Sequence, residues 1–155
     1  MERIASFSVD HDVLVPGLYL SRRDGNVVTY DLRFKKPNTG DLLTNAEMHS
    51  VEHIIATALR NSGDKDAVIY FGPMGCQTGF YFLFDGDKLT DERAIALLKD
   101  VFAQGAAWDA PMPGCSAPEC GNYINLDTAL ARKECAFYAE VIRDWTVEKL
   151  VYPEK

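Results

Sequence analysis

The feature that most constrains this chain is one continuous stretch, residues 44–59, with the sequence TNAEMHSVEHIIATAL. Thr44 and Glu47 have the spacing of a capping box, in which a hydroxyl and a carboxylate each accept a hydrogen bond from the other residue's amide. Arg60 and, shortly after it, Gly63 are a cation and a glycine typical of the end of a helix. The sequence therefore predicts one helix that begins at about residue 45 and ends near Arg60.

The predicted helix has two chemically different sides. At roughly 100° per residue, His49 and His53 lie one above the other, and Glu52 flanks them. The opposite side carries the apolar residues Met48, Val51, Ile54, Ile55, Ala58 and Leu59. We therefore expect the apolar side to pack on a hydrophobic core while the His/His/Glu side faces away from that core.

The pattern HxxEH on a helix is typical of a metal site. Two imidazoles at positions i and i+4 can bind one tetrahedral cation, and a carboxylate beside them can transfer protons. Residues 49–53 alone are equally compatible with a structural role, since histidine and glutamate are common on helix surfaces. A catalytic zinc or iron site has three protein ligands and one open position. The third ligand could be Cys115, Cys120 or an acidic residue elsewhere, and the spacing does not choose among them.

Length and charge narrow the class of protein. A chain of 155 residues predicts a single domain, residues 1–155, with a substantial core. A net charge of −7 with no basic run argues against nucleic acid and membrane surfaces as partners, so we expect a small-molecule substrate. Residues 1–10 have no apolar leader and no later run has the length of a membrane span, which predicts a cytoplasmic protein. In that compartment the four cysteines are expected to be reduced.

The rest of the pattern predicts four strands and two further helices. The strands are expected at residues 18–23, 27–34, 67–71 and 80–84, and the helices at about 90–105 and 127–145. The order ββαββαα, with hairpin-like strand pairs, predicts an α+β fold: a two-layer structure in which helices pack on one face of an antiparallel sheet. The proline-rich residues 106–121 are too long for a simple connection, which indicates a functional loop.

Four side chains outside the first helix have roles that the pattern predicts. Cys76 lies in a glycine-rich turn, GPMGCQTG at residues 72–79, where glycines allow a ligand to approach the backbone closely. Arg33 belongs to the polar side of the second strand and, by pattern alone, is expected to be a solvated charge. His11 alone is expected to be a hydrogen-bonded loop histidine. Cys135, inside the last helix, is expected to be a packing residue.

Five short motifs, in order along most of the chain, resemble those of the S-ribosylhomocysteine lyases, which make the precursor of autoinducer-2. The motifs are SFSVDH at residues 6–11, DLRF at 31–34 followed by Pro37-Asn38, HSVEH at 49–53, PMGCQTGFY at 73–81 and CGNY at 120–123. Five ordered motifs are far more specific than HxxEH alone. The chain is accordingly identified as a member of that family, which favours a metal site on the first helix.

The resemblance implies a metal site and two acid/base groups. The ligands would be His49, His53 and Cys120, holding Fe(II), one ion per subunit, with zinc or cobalt as substitutes. Glu52 and Cys76 would transfer protons. The implied reaction shifts the carbonyl of S-ribosylhomocysteine along the ribose and then eliminates homocysteine, leaving 4,5-dihydroxy-2,3-pentanedione. Each shift needs a proton removed beside a carbonyl, and a cysteine serves as the base more readily when a nearby cation stabilises its thiolate.

The resemblance also implies substrate contacts and a partner. Ser6, His11 and Arg33 would contact the substrate, and the site would lie at the interface of a homodimer. One position departs from the family pattern, since Tyr70 stands six residues before Cys76, where the family often has an acidic residue. The product would be either a precursor of a quorum-sensing signal or a by-product of the activated methyl cycle.

Three other interpretations of these residues are open at this point. A small metallohydrolase would use Glu52 to activate a metal-bound water, but it would give Cys76 no role. A non-enzymatic, metal-dependent sensor or binding module would bind metal and ligand without turnover. A structural zinc site would be closed by a fourth protein ligand, for example Cys115, and would have no open position.

Overall fold

One antiparallel sheet with three helices packed against it makes up the fold, in a computed structural model that describes residues 1–155. The strands are β1 (Gly17–Asp24), β2 (Val27–Arg33), β3 (Val68–Pro73) and β4 (Gly79–Asp85), and the helices are α1 (Asn45–Arg60), α2 (Asp91–Ala106) and α3 (Thr128–Val141). The predicted order ββαββαα and the α+β class are therefore confirmed. None of these helices combines the length and the hydropathy needed to cross a membrane.

Strand alternation gives the sheet an apolar face and a polar face. The strands pair in the order β1-β2-β4-β3, and every pair is antiparallel. Alternate side chains of β2 and β4 belong to the core that the sheet shares with the helices. These core residues are Val28, Tyr30, Leu32, Phe80, Phe82 and Phe84. Asp31, Arg33 and Tyr81 lie on the opposite face, so polar groups line the side of the sheet away from the helices.

The polar face is covered where β2 ends, and the expectation of a solvated Arg33 is wrong. Arg33 is 3% exposed and Asp31 is 1% exposed. They form an ion pair in which Nη2 of Arg33 lies 2.5 Å from Oδ2 of Asp31. The cover comes from the segments before β1 and after α3, since Ser6 and Tyr152 line one cavity together with the ion pair. A strand pattern shows which side Arg33 faces but not what covers that side.

α1 has the predicted capping box and the predicted apolar side. Oγ1 of Thr44 accepts a hydrogen bond from the Glu47 amide at 3.1 Å, and Oε1 of Glu47 accepts one from the Thr44 amide at 2.9 Å. All six apolar residues expected to face the core are buried. His49, Glu52 and His53 are only half-buried, so the polar side of α1 stays accessible.

The last helix is shorter than predicted, and its expected extension to Trp145 is wrong. α3 ends at Val141, and the chain turns so that Trp145 packs edge-on against Tyr19, with ring centroids 5.8 Å apart. This aromatic contact outside the helix favours the early end of α3. Cys135 is fully buried, as predicted. Residues 107–127 contain no strand and no α-helix, as expected of a proline-rich loop.

Candidate metal centre and substrate cavity

His49 and His53 of α1 form a cluster of ligating side chains with Cys120. Their donor atoms all lie within 4.8 Å of one another. Sγ of Cys120 is 3.3 Å from Nε2 of His49, and the two imidazole rings are nearly perpendicular with centroids 4.6 Å apart. The 3.3 Å separation is that of two ligands of one tetrahedral ion, whose bonds are about 2.0–2.3 Å long, and donor atoms as far as 4.8 Å apart would move closer on binding the same ion. Two nitrogens and one sulfur therefore fit a divalent transition metal that keeps one position open.

Hydrogen bonds on the far side of each imidazole decide which nitrogen faces the cluster. Nδ1 of His49 lies 2.5 Å from Oδ1 of Asn125, and Nδ2 of Asn125 donates to Oδ1 of Asn45 at 2.6 Å. Because that amide donates through its nitrogen, its oxygen accepts, and Nδ1 of His49 carries the proton. Nδ1 of His53 lies 2.8 Å from the carbonyl oxygen of Pro113 and carries a proton for the same reason. In a neutral imidazole with the proton on Nδ1, Nε2 is the nitrogen that can bind a metal, and in both histidines this is the nitrogen turned away from the hydrogen bond.

Cys120 supplies the third donor of the cluster, and Cys115 lies outside it. Sγ of Cys120 accepts a hydrogen bond from the Asn122 amide at 3.4 Å, which holds the sulfur in place beside His49. Cys115 is exposed, and its Sγ lies 3.8 Å from the carbonyl oxygen of Tyr123. The cluster has no fourth protein donor. Its geometry is that of an open site and not that of the closed structural zinc site considered from the sequence.

Replacing Asn125 by leucine is expected to weaken metal binding about 10- to 100-fold. The substitution removes the acceptor that keeps His49 in the tautomer with a free Nε2. Competition between the metal-free protein and a chromophoric chelator for Zn(II) or Co(II) measures the affinity. Cys115→Ser is the matched control and should bind metal as the wild type does. Equal affinity in Asn125→Leu and wild type would show that His49 is held by other contacts.

Glu52 lies on the polar side of α1 and lines a shallow cavity on each side of itself. His49 and Asn122 line the first cavity, and His53 and Thr57 line the second. The Glu52 side chain is half-buried, so its carboxylate can be reached by a ligand in either cavity. A carboxylate in this position can exchange protons with a molecule bound next to the metal cluster.

A buried pair of carboxyl groups supports the first turn of α1. Glu47 of the capping box is 8% exposed, and Glu134 of α3 is 4% exposed. Burial, together with the hydrogen bond and the charge of Glu47, raises the pKa of Glu134 to about 7. Burial opposes ionisation of Glu47, but hydrogen bonds from Glu134, the Thr44 amide and Lys133 lower the pKa of Glu47 to about 2. Below neutral pH the pair therefore shares one proton, which Glu134 carries.

Glu134→Gln is expected to reduce the pH dependence of stability between pH 4.5 and about 7. A group whose pKa is raised by folding stabilises the folded state below its unfolded pKa, and this stabilisation is lost as pH rises through the folded pKa. Glutamine still donates to Glu47 but does not titrate. The free energy of unfolding of the variant should therefore not show the wild-type fall of up to about 1.4 kcal/mol per pH unit. Urea unfolding across this range measures the free energy, with exposed Glu140→Gln as control. Equal slopes in all three proteins would contradict the shared proton.

A separate cavity of about 210 Å³ lies on the polar face of the sheet. The structure brings together in its wall four residues singled out from the sequence, namely Ser6, His11, Arg33 and Cys76. Nδ1 of His11 lies 2.9 Å from the carbonyl oxygen of Val9, so His11 is also the hydrogen-bonded loop histidine expected from the pattern. Asp31, Tyr81 and Tyr152 line the same cavity and were not identified from the sequence.

Cys76 lies in the tight loop between β3 and β4, with its side chain exposed. Its Sγ is 3.0 Å from Oγ1 of Thr78 and 4.0 Å from Nη1 of Arg33, and Arg33 also donates to Thr78 at 2.8 Å. The loop needs a glycine where β4 begins, because a Cβ on Gly79 would lie 2.3 Å from the carbonyl oxygen of Leu32. The thiol of Cys76 therefore lies between a hydroxyl and a buried guanidinium at the edge of the cavity.

The cluster and the cavity form two half-sites. We call His49, Glu52, His53 and Cys120 the metal half, and Ser6, His11, Arg33 and Cys76 the cavity half. The cavity half and the groove beside His49 and Glu52 share no lining residue. Phe7 in the cavity wall is 65% exposed, and Ile124, the neighbour of the Asn125 that hydrogen-bonds to His49, is 82% exposed.

Comparison with known proteins agrees with the five motifs. The sequence model of the family described as S-Ribosylhomocysteinase (LuxS) matches residues 4–149. The chain belongs to the S-ribosylhomocysteine lyase family. Relatives named S-ribosylhomocysteine lyase are 42% identical in Finegoldia magna, 45% in Desulfotalea psychrophila and 41% in Clostridium beijerinckii. Each alignment covers 99% of this chain and at least 99% of the relative, so the membership predicted from the motifs is confirmed.

Membership in the lyase family disfavours the metallohydrolase interpretation, because the full-length relatives carry a lyase name. Sequence reasoning gave no role to Asp31 and Thr78, which hydrogen-bond to Arg33, to Asn125, which bonds to His49, or to Tyr152, which bonds to Asp31. Two of these partners come from distant parts of the chain: Asn125 is 76 positions from His49, and Tyr152 is 121 positions from Asp31. No motif or period connects positions so far apart. Tyr70, where the chain departs from the family pattern, is 52% exposed and lines neither half-site.

Proposed function

We propose that this chain cleaves S-ribosylhomocysteine to homocysteine and 4,5-dihydroxy-2,3-pentanedione, the precursor of autoinducer-2 in quorum sensing. The observation that carries the proposal is 41–45% identity, over 99% of the chain, to relatives named for this lyase activity. The donor set of the metal half supports a metal-dependent reaction. We propose Fe(II), one ion per subunit, with zinc or cobalt as substitutes. Residues 1–155 would form one catalytic domain in the cytoplasm.

The reaction moves a carbonyl and then breaks a carbon–sulfur bond. The carbonyl of the ribose shifts from C1 to C2 and then to C3, and in each shift a proton leaves one carbon and another arrives at its neighbour. Removal of the C4 proton then expels homocysteine thiolate from C5, which is β to the C3 carbonyl. A divalent ion bound in the metal half would supply the Lewis acidity that lowers the free energy of the enediolate charge.

Two acid/base groups in different places suit protons on different atoms of the sugar. Glu52, beside His49 and His53, would transfer protons to and from the sugar oxygens. Cys76 would remove and return protons at carbon as a thiolate. Arg33 supports this role because its guanidinium lies 4.0 Å from the sulfur. The division of labour explains why one carboxylate alone would be insufficient for successive shifts along the chain of carbons.

The cavity half would bind the polar groups of the substrate. Ser6 and His11 present a hydroxyl and an imidazole to the cavity, and Arg33 presents the guanidinium edge that Asp31 does not occupy. Hydroxyls of a sugar can both donate to and accept from such groups. A cavity of about 210 Å³ lies below the range of about 300–1,000 Å³ that is usual for ligand sites, which supports binding of one end of the substrate there while the other end extends outward.

We propose further that the complete site forms across a homodimer. The two half-sites share no lining residue, and Phe7 in the cavity wall and Ile124 next to Asn125 are both exposed. In a symmetric dimer the same patch of both subunits meets, so the cavity half of one subunit can face the metal half of its partner. Contact of this kind would also cover Phe7 and Ile124.

Release of free homocysteine tests the function directly. Protein prepared without air and loaded with Fe(II) or Co(II) is mixed with S-ribosylhomocysteine, and the new thiol is measured over time. We expect steady release that stops when a chelator removes the metal and resumes when the metal is restored. A protein that holds metal and releases no thiol would contradict the lyase proposal.

A further inference from the structure

We propose that Tyr152 is a positioning residue for the cavity half, because its hydroxyl holds the Asp31 carboxylate that orients Arg33 beside Cys76. The inference rests on the proposed function, in which Arg33 and Cys76 act on the substrate. Tyr152 lies in the segment that follows α3, outside every motif that the sequence analysis singled out. It reaches the site only because this segment packs across the polar face of the sheet.

Three consecutive side-chain contacts connect Tyr152 with the thiol. The hydroxyl of Tyr152 donates to Oδ2 of Asp31 at 2.7 Å. Asp31 accepts two hydrogen bonds from Arg33, from Nη2 at 2.5 Å and from Nε at 3.1 Å. The remaining Nη1 of Arg33 lies 2.8 Å from Oγ1 of Thr78 and 4.0 Å from Sγ of Cys76. Arg33 is therefore held along one edge and presents the other edge to the thiol.

Packing fixes the position of Tyr152 independently of its hydroxyl. The ring stacks on Tyr19 with centroids 5.0 Å apart and an interplanar angle of 23°. Leu150, two residues earlier, is 4% exposed and belongs to the hydrophobic core. Burial, followed by the charge and the hydrogen bond of Asp31, raises the pKa of Tyr152 above its usual range. Tyr152 is therefore a neutral donor at physiological pH.

The hydroxyl affects the thiol because Asp31 and Cys76 compete for the same cation. Burial opposes the charge of Arg33, but the charge and hydrogen bonds of Asp31 outweigh it and raise the pKa of Arg33. Both residues of this ion pair are almost fully buried, so solvent screens their attraction poorly. A hydrogen bond from Tyr152 withdraws part of the negative charge of Asp31, which leaves more of the guanidinium field for a thiolate at Cys76.

No other permanent cation lines the cavity to replace Arg33. The titratable side chains that line it together with Cys76 are His11, Asp31, Arg33, Tyr81 and Tyr152. Burial and the charge of Asp31 raise the pKa of Tyr81, so this phenol is neutral as well. Arg33 is therefore the one permanent positive charge in this cavity that Asp31 and Cys76 can share.

The rate of Cys76 alkylation tests the proposal without any turnover. Tyr152→Phe removes only the hydroxyl and keeps the ring that stacks on Tyr19. We expect iodoacetamide to alkylate Cys76 about three- to tenfold more slowly near neutral pH, as for the loss of one hydrogen bond in the network. The curve of alkylation rate against pH should move to higher pH. Mass spectrometry of the peptides separates Cys76 from the other cysteines, and exposed Cys115 is the internal reference.

Tyr19→Phe is the matched control, because the hydroxyl of Tyr19 donates to the carbonyl oxygen of Val15 and not to Asp31. This variant should leave the Cys76 rate at the wild-type value. An unchanged rate in Tyr152→Phe, or the same slowing in Tyr19→Phe, would overturn the proposal. A wild-type protein that releases no homocysteine would refute the proposed function, while the alkylation comparison would still decide the role of Tyr152.

Discussion

Replacing Cys76 by alanine is expected to lower homocysteine release about 10²- to 10⁴-fold while metal affinity remains that of the wild type. The substitution removes the proposed proton-transfer group at carbon, whereas the metal cluster contains no residue of the cavity and keeps its contacts. Thiol release and chelator competition measure the two properties separately. Cys115→Ala is the matched control, since Cys115 is an exposed thiol outside both half-sites. Full turnover in Cys76→Ala would rule out this role.

Glu52→Gln is measured in the same assays and is expected to lower homocysteine release by a comparable factor. Glutamine has nearly the shape of glutamate but cannot carry the proton. Ser6, His11 and Arg33 are unchanged in both variants, so the loss should be in kcat rather than in KM. A rise in KM with unchanged kcat would instead show that Glu52 or Cys76 only binds the substrate.

The spacing of residues in the sequence predicts the metal half more completely than it predicts the cavity half. His49 and His53 are one helical turn apart, so the capped helix α1 places their side chains on one side whatever else the chain does. Cys120 has no such relation to α1, because it lies in a loop without a repeating pattern. Spacing therefore left Cys115 and Cys120 as alternatives, and only the folded chain brings the sulfur of Cys120 within 3.3 Å of His49.

Distant segments of the chain bury the residues of the cavity half. The strand pattern does not include these segments, and this explains why the prediction of a solvated Arg33 is wrong. Strand alternation places Arg33 on the polar side of β2, and that part of the prediction is right. The alternation contains no information about Ser6 before β1 or Tyr152 after α3, which enclose that side. The end of α3 at Val141 has a similar cause, since packing of Trp145 on Tyr19 is a tertiary contact that local helix propensity does not include.

Combining Cys76→Ala and Glu52→Gln in one dimer is expected to restore about half of the wild-type turnover from two inactive chains. If the cavity half of each subunit faces the metal half of its partner, one site of the heterodimer lacks both groups and the other site lacks neither. The two variants are produced together with different affinity tags and purified through both tags before thiol release is measured. The expected gain over either variant alone is therefore about half the factor by which each substitution lowers turnover.

A matched heterodimer decides whether such recovery comes from complementary half-sites. It joins the Cys76→Ala chain to a chain that carries both Cys76→Ala and Glu52→Gln, so neither site has an intact cavity half. This heterodimer should be inactive, and activity in it would point to contaminating wild-type protein. An inactive Cys76→Ala and Glu52→Gln pair would mean that each site draws both groups from one subunit. A purified wild-type protein that behaves as a single 17.3 kDa chain would contradict the dimer itself. Restored turnover in the first pair alone requires Glu52 of one subunit and Cys76 of its partner to act on the same substrate molecule.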